Sequence, residues 1–199
     1  MESTSTAVPN LAPPGAGIPA IERLVGGAIF AFNRWRGTRE RFTSQFQRER
    51  DAIGRQYRDV DPRTLNQRVL IPRLRGLEDS SRYWSVWMTL DHLRIVNSQM
   101  TQVIAALTHG RVPENKASTA AVKPRPDVGP DVQRAYEESC DRFLAFTASC
   151  STLCTPVRYA HPWFGPLDGA GWHAMAGMHM AIHRAQITRI LAGASRGQP

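Results

Sequence analysis

Apolar residues recur at three- and four-residue spacing in four separate stretches of the chain, and no stretch shows a convincing strand pattern. The first stretch runs from Ile18 to Asp59, with Ile21, Leu24, Ala28, Trp35, Phe42, Phe46, Ile53 and Tyr57 near one face. Gly37 predicts a bend or break within it, and Asp61-Pro62 ends it. The second covers Ser81 to His109, with the inner stripe Met88, His92, Ile95, Val96, Gln99, Val103 and Leu107, and Gly110 followed by Pro113 is its stop signal. The third spans Asp131 to Leu153, where Cys140, Phe143, Thr147, Cys150 and Cys154 share a stripe. The fourth runs from Asp168 to Leu191 with the stripe Trp172, Met175, His179, Ile182, His183, Gln186 and Ile190; Asp168 is its candidate N-cap and Gly193 lies just beyond its end. Four amphipathic helices without strands predict an all-α protein built as a four-helix bundle.

The connections refine this picture. Residues 61–81 contain Leu70-Ile-Pro-Arg-Leu-Arg-Gly76, whose apolar members are expected against the end of the bundle. Residues 112–130 are rich in proline and poor in apolar side chains, which marks a linker. Adjacent antiparallel helices need only a short loop, so a connection of this length predicts a crossover that lets helices two and three run parallel. The expected organisation is a single bundle domain over 18–192, with a disordered tail at 1–17 and a flexible tail at 193–199.

A chain of 199 residues is long enough for one sizeable core. Its start lacks the basic and continuously apolar regions of a secretory signal, and the apolar run Leu24–Phe32 is far short of the roughly 20 residues a membrane-spanning helix needs. A soluble, cytoplasmic protein with no membrane partner is therefore expected. The net charge of +8 comes with arginines that interleave with Glu40, Glu49 and Asp51, as on a solvated helix face, and no helix-turn-helix, finger or stacking motif accompanies them. No nucleic-acid partner is expected, while a small-molecule substrate, anionic ones included, suits the charge. Three cysteines, an odd number, indicate reduced thiols acting as small core residues.

The candidate chemistry lies in the histidines. His179 and His183 are one helical turn apart, so both imidazoles lie on one face and can reach a common ion. His92 is the best third donor, at a core-facing position on another helix. Two imidazoles on an apolar stripe need partners, since each unsatisfied buried nitrogen costs about 1–3 kcal/mol. Three neutral imidazoles leave coordination positions open, as a catalytic metal does. Zinc suits this donor set best, and nickel and iron also accept imidazole. Met180 follows His179 where a zincin protease would have glutamate, which argues against metalloprotease chemistry. Gln186 is placed to support His183 from behind; His173 points about 120° away from His179, and His161 belongs to the His161-Pro-Trp-Phe-Gly165 loop, where packing is favoured over a place at the mouth of the site.

Trp84-Ser85 and Asp91-His92-Leu93, taken with His179-Met-Ala-Ile-His183-Arg-Ala-Gln186, resemble the DinB-like family, and the His161-Pro-Trp-Phe-Gly165 loop resembles an uncharacterised branch of it. The resemblance covers about residues 20–192. It implies a bundle with up-down-down-up connectivity and a divalent metal at His92, His179 and His183. Characterised members of that family include metal-dependent transferases and isomerases that use low-molecular-weight thiols, so the resemblance implies a metal-dependent transferase with such a thiol as candidate cosubstrate. The rival expectation is a noncatalytic metal- or small-ligand-binding stress protein on the same scaffold. Paired apolar faces would permit a homodimer.

Overall fold

A computed structural model describes residues 9–196. Four long helices form the bundle: α2 (Arg39–Tyr57), α4 (Val86–Thr108), α5 (Val132–Ser149) and α6 (Gly169–Ala194). Two more, α1 (Ala20–Arg36) and the short α3 (Pro62–Asn66), stand outside it. Helix α6 packs on α2 and α4, and α4 packs on α5. The ring closes between α2 and α5, where Phe46 stacks on Phe143 with centroids 4.6 Å apart and Arg50 pairs with Glu137 at 2.6 Å. The centre is filled by Phe46, Ile53, Leu90, Leu93, Ile104, Tyr136, Phe143, Met180 and Ile187, all buried.

Local chemistry explains where the helices begin and break. Ser85, Asp168 and Thr38 cap α4, α6 and α2, their side-chain oxygens accepting the Met88, Gly171 and Arg41 amides. The break anticipated near Gly37 separates α1 from α2. Gly37 is extended, and a Cβ there would collide with the Phe42 ring and the Asn33 carbonyl, so only glycine admits the turn. After α4, Gly110 takes φ +71° and the chain leaves the helix.

Four expectations need correction. The first helix does not send one continuous face into the core: on α1, before the break at Gly37, Ile21, Leu24 and Trp35 are 72%, 74% and 80% exposed. The chain is not wholly helical, for two short antiparallel ribbons are present. One pairs β1 (Val69–Leu70) with β2 (Tyr83–Trp84), and the other pairs β3 (Tyr159–His161) with β4 (Gly165–Leu167), with His161 opposite Gly165. Segments of two or three residues are too short to show a strand period, and β3–β4 closes through Gly165 at φ +70°. Gly193 lies inside α6, against Val69, rather than past its end. Finally, α5 stops at Ser149, so the cysteine stripe dissolves: Cys140 is buried, Cys150 half-buried and Cys154 exposed.

The N-terminal segment is tied down from within the expected tail. The Ala12 amide donates to Asp79 and the Gly17 amide to Glu78, while residues 1–8 and 197–199 of the expected tails lie outside the described residues. The connection 109–131 carries no regular structure but is fastened to α4 and to the turn at Asp79–Ser81. The buried Asp91 carboxylate accepts the Arg125 amide, and buried Glu78 accepts from Thr119 and Lys123. No helix among the described residues is long and apolar enough to cross a membrane.

Candidate metal centre

His92 comes from α4, and His179 and His183 from α6; one nitrogen of each lies within 4.8 Å of the others. The interlocked stripes of α4 and α6 bring them together, with ring centroids 4.5 Å apart for His179–His183 and for His92–His183. His92 and His183 are buried, while His179 is half-buried. Among the described residues this is the cluster of three His, Cys, Asp or Glu side chains able to share an ion.

Two of the rings are held from behind. His92 Nδ1 lies 2.7 Å from the Val122 carbonyl, so Nδ1 carries the proton and donates it, leaving the Nε2 lone pair to face the cluster. His183 Nδ1 donates in the same way to Gln186 Oε1 at 2.6 Å, and Gln186 Nε2 donates to the Ser81 carbonyl at 2.7 Å. Gln186 thus supports His183 from the position its spacing suggests. The Val122 carbonyl lies thirty residues from His92, on an irregular connection, and no sequence signal marks it. The Trp84 ring lies nearly parallel to His183, 9° off plane at 6.3 Å, and tilts against His92 at 5.2 Å, which restricts both imidazoles further.

The third ring is different. His92 Nε2 and His179 Nε2 are 3.2 Å apart, and His179 Nδ1 is a buried nitrogen with no hydrogen-bond partner among the described residues. Burial is the main force on all three, pushing His92 down to about 4 and His179 and His183 well below the ordinary 6.5; the neighbouring imidazoles press His179 and His183 in the same direction. Three neutral imidazoles with converging nitrogens are the protonation state and donor set a divalent ion requires.

The cluster sits in the wall of a chamber of about 1320 Å³, lined by all three histidines, α1, the 111–123 connection and the β3–β4 ribbon. His161 also lines it. Its ring stacks on Phe164 at 4.9 Å and lies 5.3 Å from Trp172, and its Nδ1 accepts the Trp163 amide at 3.2 Å. Both uses weighed for this residue are therefore realised, packing of the loop and a place in the chamber. His173 lies elsewhere, hydrogen-bonded to Thr43 at 3.1 Å beside the rings of Phe42 and Phe143. His109 caps α4 with Nδ1 on the Ala105 carbonyl. Burial pushes the Cys140 thiol up to about 12, which removes its nucleophilic form near neutrality.

No protein-family profile matches the chain, and none of the curated proteins matches it in sequence. Among solved structures, the four-helix bundle protein TT2238 superposes with a TM-score of 0.55 at 20% identity, over 76% of this chain and 98% of its own. The likeness concerns the fold, and on it the chain is a four-helix bundle.

Proposed function

We propose that this chain is a DinB-like bundle of up-down-down-up connectivity that holds a divalent metal, zinc foremost, on His92, His179 and His183 and acts as a metal-dependent transferase with a low-molecular-weight thiol. The observation that carries the reading is the convergence of three neutral imidazoles beside a chamber of about 1320 Å³. A closed structural metal would have no use for such a space; a catalytic one needs it for its substrate. This favours the enzyme over a noncatalytic protein that holds only a closed structural metal. The order of the motifs along the chain supports the family, and the 109–131 connection is long enough for the crossover the connectivity demands.

The chain's own residues have separable roles in this reading. His92 and His183 are held in one tautomer by Val122 and Gln186, so their lone pairs stay aimed at the ion. His179, half-buried, is the most accessible of the three rings, all of which line the chamber. A bound ion supplies Lewis acidity that lowers the pKa of a coordinated thiol or water.

Elemental analysis of protein purified without a histidine tag tests the metal. One zinc, nickel or iron per chain is expected, falling sharply when any of the three histidines is replaced by Ala. Stoichiometric metal in the triple-alanine variant would overturn the assignment. Cobalt substitution then tests the chemistry, since a thiol reaching the ion adds an intense sulfur-to-metal charge-transfer band. If no cellular thiol perturbs the cobalt spectrum or supports turnover with electrophilic acceptors, the transferase reading falls.

A further inference from the structure

The chamber is larger than the roughly 300–1,000 Å³ typical of small-ligand pockets, and its walls are made mostly by aliphatic and aromatic side chains. Val25 and Ile29 of α1, Val96 and Val103 of α4, and Met178 and Ile182 of α6 face it. Several of these are not covered by protein: Val25 is 52% and Ile29 53% exposed, and Val103, Met178 and Ile182 are half-buried. Charged side chains, among them Glu22, Arg75, Arg111 and Lys116, also line the space, while the converging imidazole nitrogens lie at His92, His179 and His183, where the unpartnered His179 Nδ1 is found. His161 adds one more imidazole. Because its Nδ1 accepts the Trp163 amide, the proton of the neutral ring is on Nε2, a donor available within the same chamber.

We propose that the chamber binds an amphiphile whose extended apolar body lies against α1, α4 and α6 and whose anionic donor end, a carboxylate or thiolate, sits at the histidine cluster within reach of the His161 Nε2 hydrogen. The anionic end rests on the metal reading above, because three neutral imidazoles leave the ion's positive charge unbalanced; the apolar body rests on the walls alone. Covering half-exposed valine, isoleucine and methionine side chains removes apolar area from water, so the apolar part of the ligand carries a large share of the affinity. A small molecule is the fitting occupant because the space is concave and ends in converging polar atoms, which a protein surface could not reach.

Calorimetric titration of the zinc-loaded full chain with linear alkyl carboxylates of four to ten carbons, and with the matching alkanethiols, tests this. Affinity should rise about fourfold per methylene until the chamber is filled, and whichever series binds more tightly identifies the donor end. Val25→Asp and Val103→Asp should each weaken the longer ligands at least tenfold with zinc content and helicity unchanged, whereas Trp35→Ser, on the outer side of α1, should have no effect. His161→Phe should weaken every member of a series by the same factor, since it removes a contact to the shared end. Affinity independent of chain length, or loss on Trp35→Ser but not on the wall variants, would overturn the proposal while leaving the zinc site standing. Chain-length dependence in a protein that takes up no zinc would sustain the apolar ligand and overturn the metal reading.

Discussion

The Val122 carbonyl accepts the Nδ1 proton of His92 at 2.7 Å, so a residue of the irregular crossover decides which nitrogen of a helix α4 imidazole faces the candidate metal. The contact is one of a set. Asp91, the neighbour of His92, accepts the Arg125 amide, so two consecutive residues of α4 grip the connection on either side of Lys123. Long-range proton–nitrogen NMR of the metal-free protein at neutral pH should show His92 and His183 as neutral rings with the proton on Nδ1. An Nε2-protonated His92 would contradict the arrangement.

Gln186 makes the corresponding contact on α6 and joins it to the Ser81 carbonyl. Gln186→Leu should lower zinc affinity by about 10–100-fold while all three ligands remain, because the ring loses its orientation and basicity. Competition with a calibrated zinc chelator measures this, and an unchanged dissociation constant would assign Gln186 to packing alone.

Acid should destabilise the metal-free protein over a defined window. Burial holds His92, His161 and His173 near 4, against an ordinary value of 6.5. The unfolded chain takes up protons as pH falls through 6.5, whereas the folded chain does not until about 4, so stability is fully present above 6.5 and is lost progressively toward 4. His173 can be separated from the cluster because it lies beside Thr43, Arg39 and Glu40. His173→Phe should flatten the pH dependence of the urea midpoint in this window without changing zinc content.

Helix α1 is fastened to the bundle at Asp168, which accepts from Arg34 at 2.6 Å while capping α6 through the Gly171 amide at 2.8 Å. Asp168→Ala should cost about 1–2 kcal/mol in urea unfolding, through loss of the cap. Arg34→Ala should cost less than about 1 kcal/mol, since the pair is partly solvated. The arginine variant should nevertheless speed chymotryptic cleavage at Phe32 and Trp35, because α1 loses a tether to the bundle. Equal global destabilisation by the two variants would show that the ion pair, not the cap, governs this corner.

The sequence by itself determined the helical class, the approximate limits of three of the four bundle helices, the break at Gly37 in the stretch that holds the other, and the inward direction of His92, His179 and His183. These follow from helical period, and a four-residue spacing puts two imidazoles on one face whatever surrounds them. It also placed Gln186 behind His183, since both lie on the same helix. Tertiary structure decided what depends on residues distant in the chain: the hold of Val122 on His92, the capping of the Ser81 carbonyl by Gln186, and the entry of His161 into the chamber. The position of α1 belongs to the same class. Its apolar stripe reads as core by period, yet Ile21, Leu24 and Trp35 are exposed, because period reports which side chains share a face and not whether another element arrives to cover it. The strands Val69–Leu70 and Tyr83–Trp84 are likewise a tertiary product, too short to carry a pattern and formed only when the chain between them folds back.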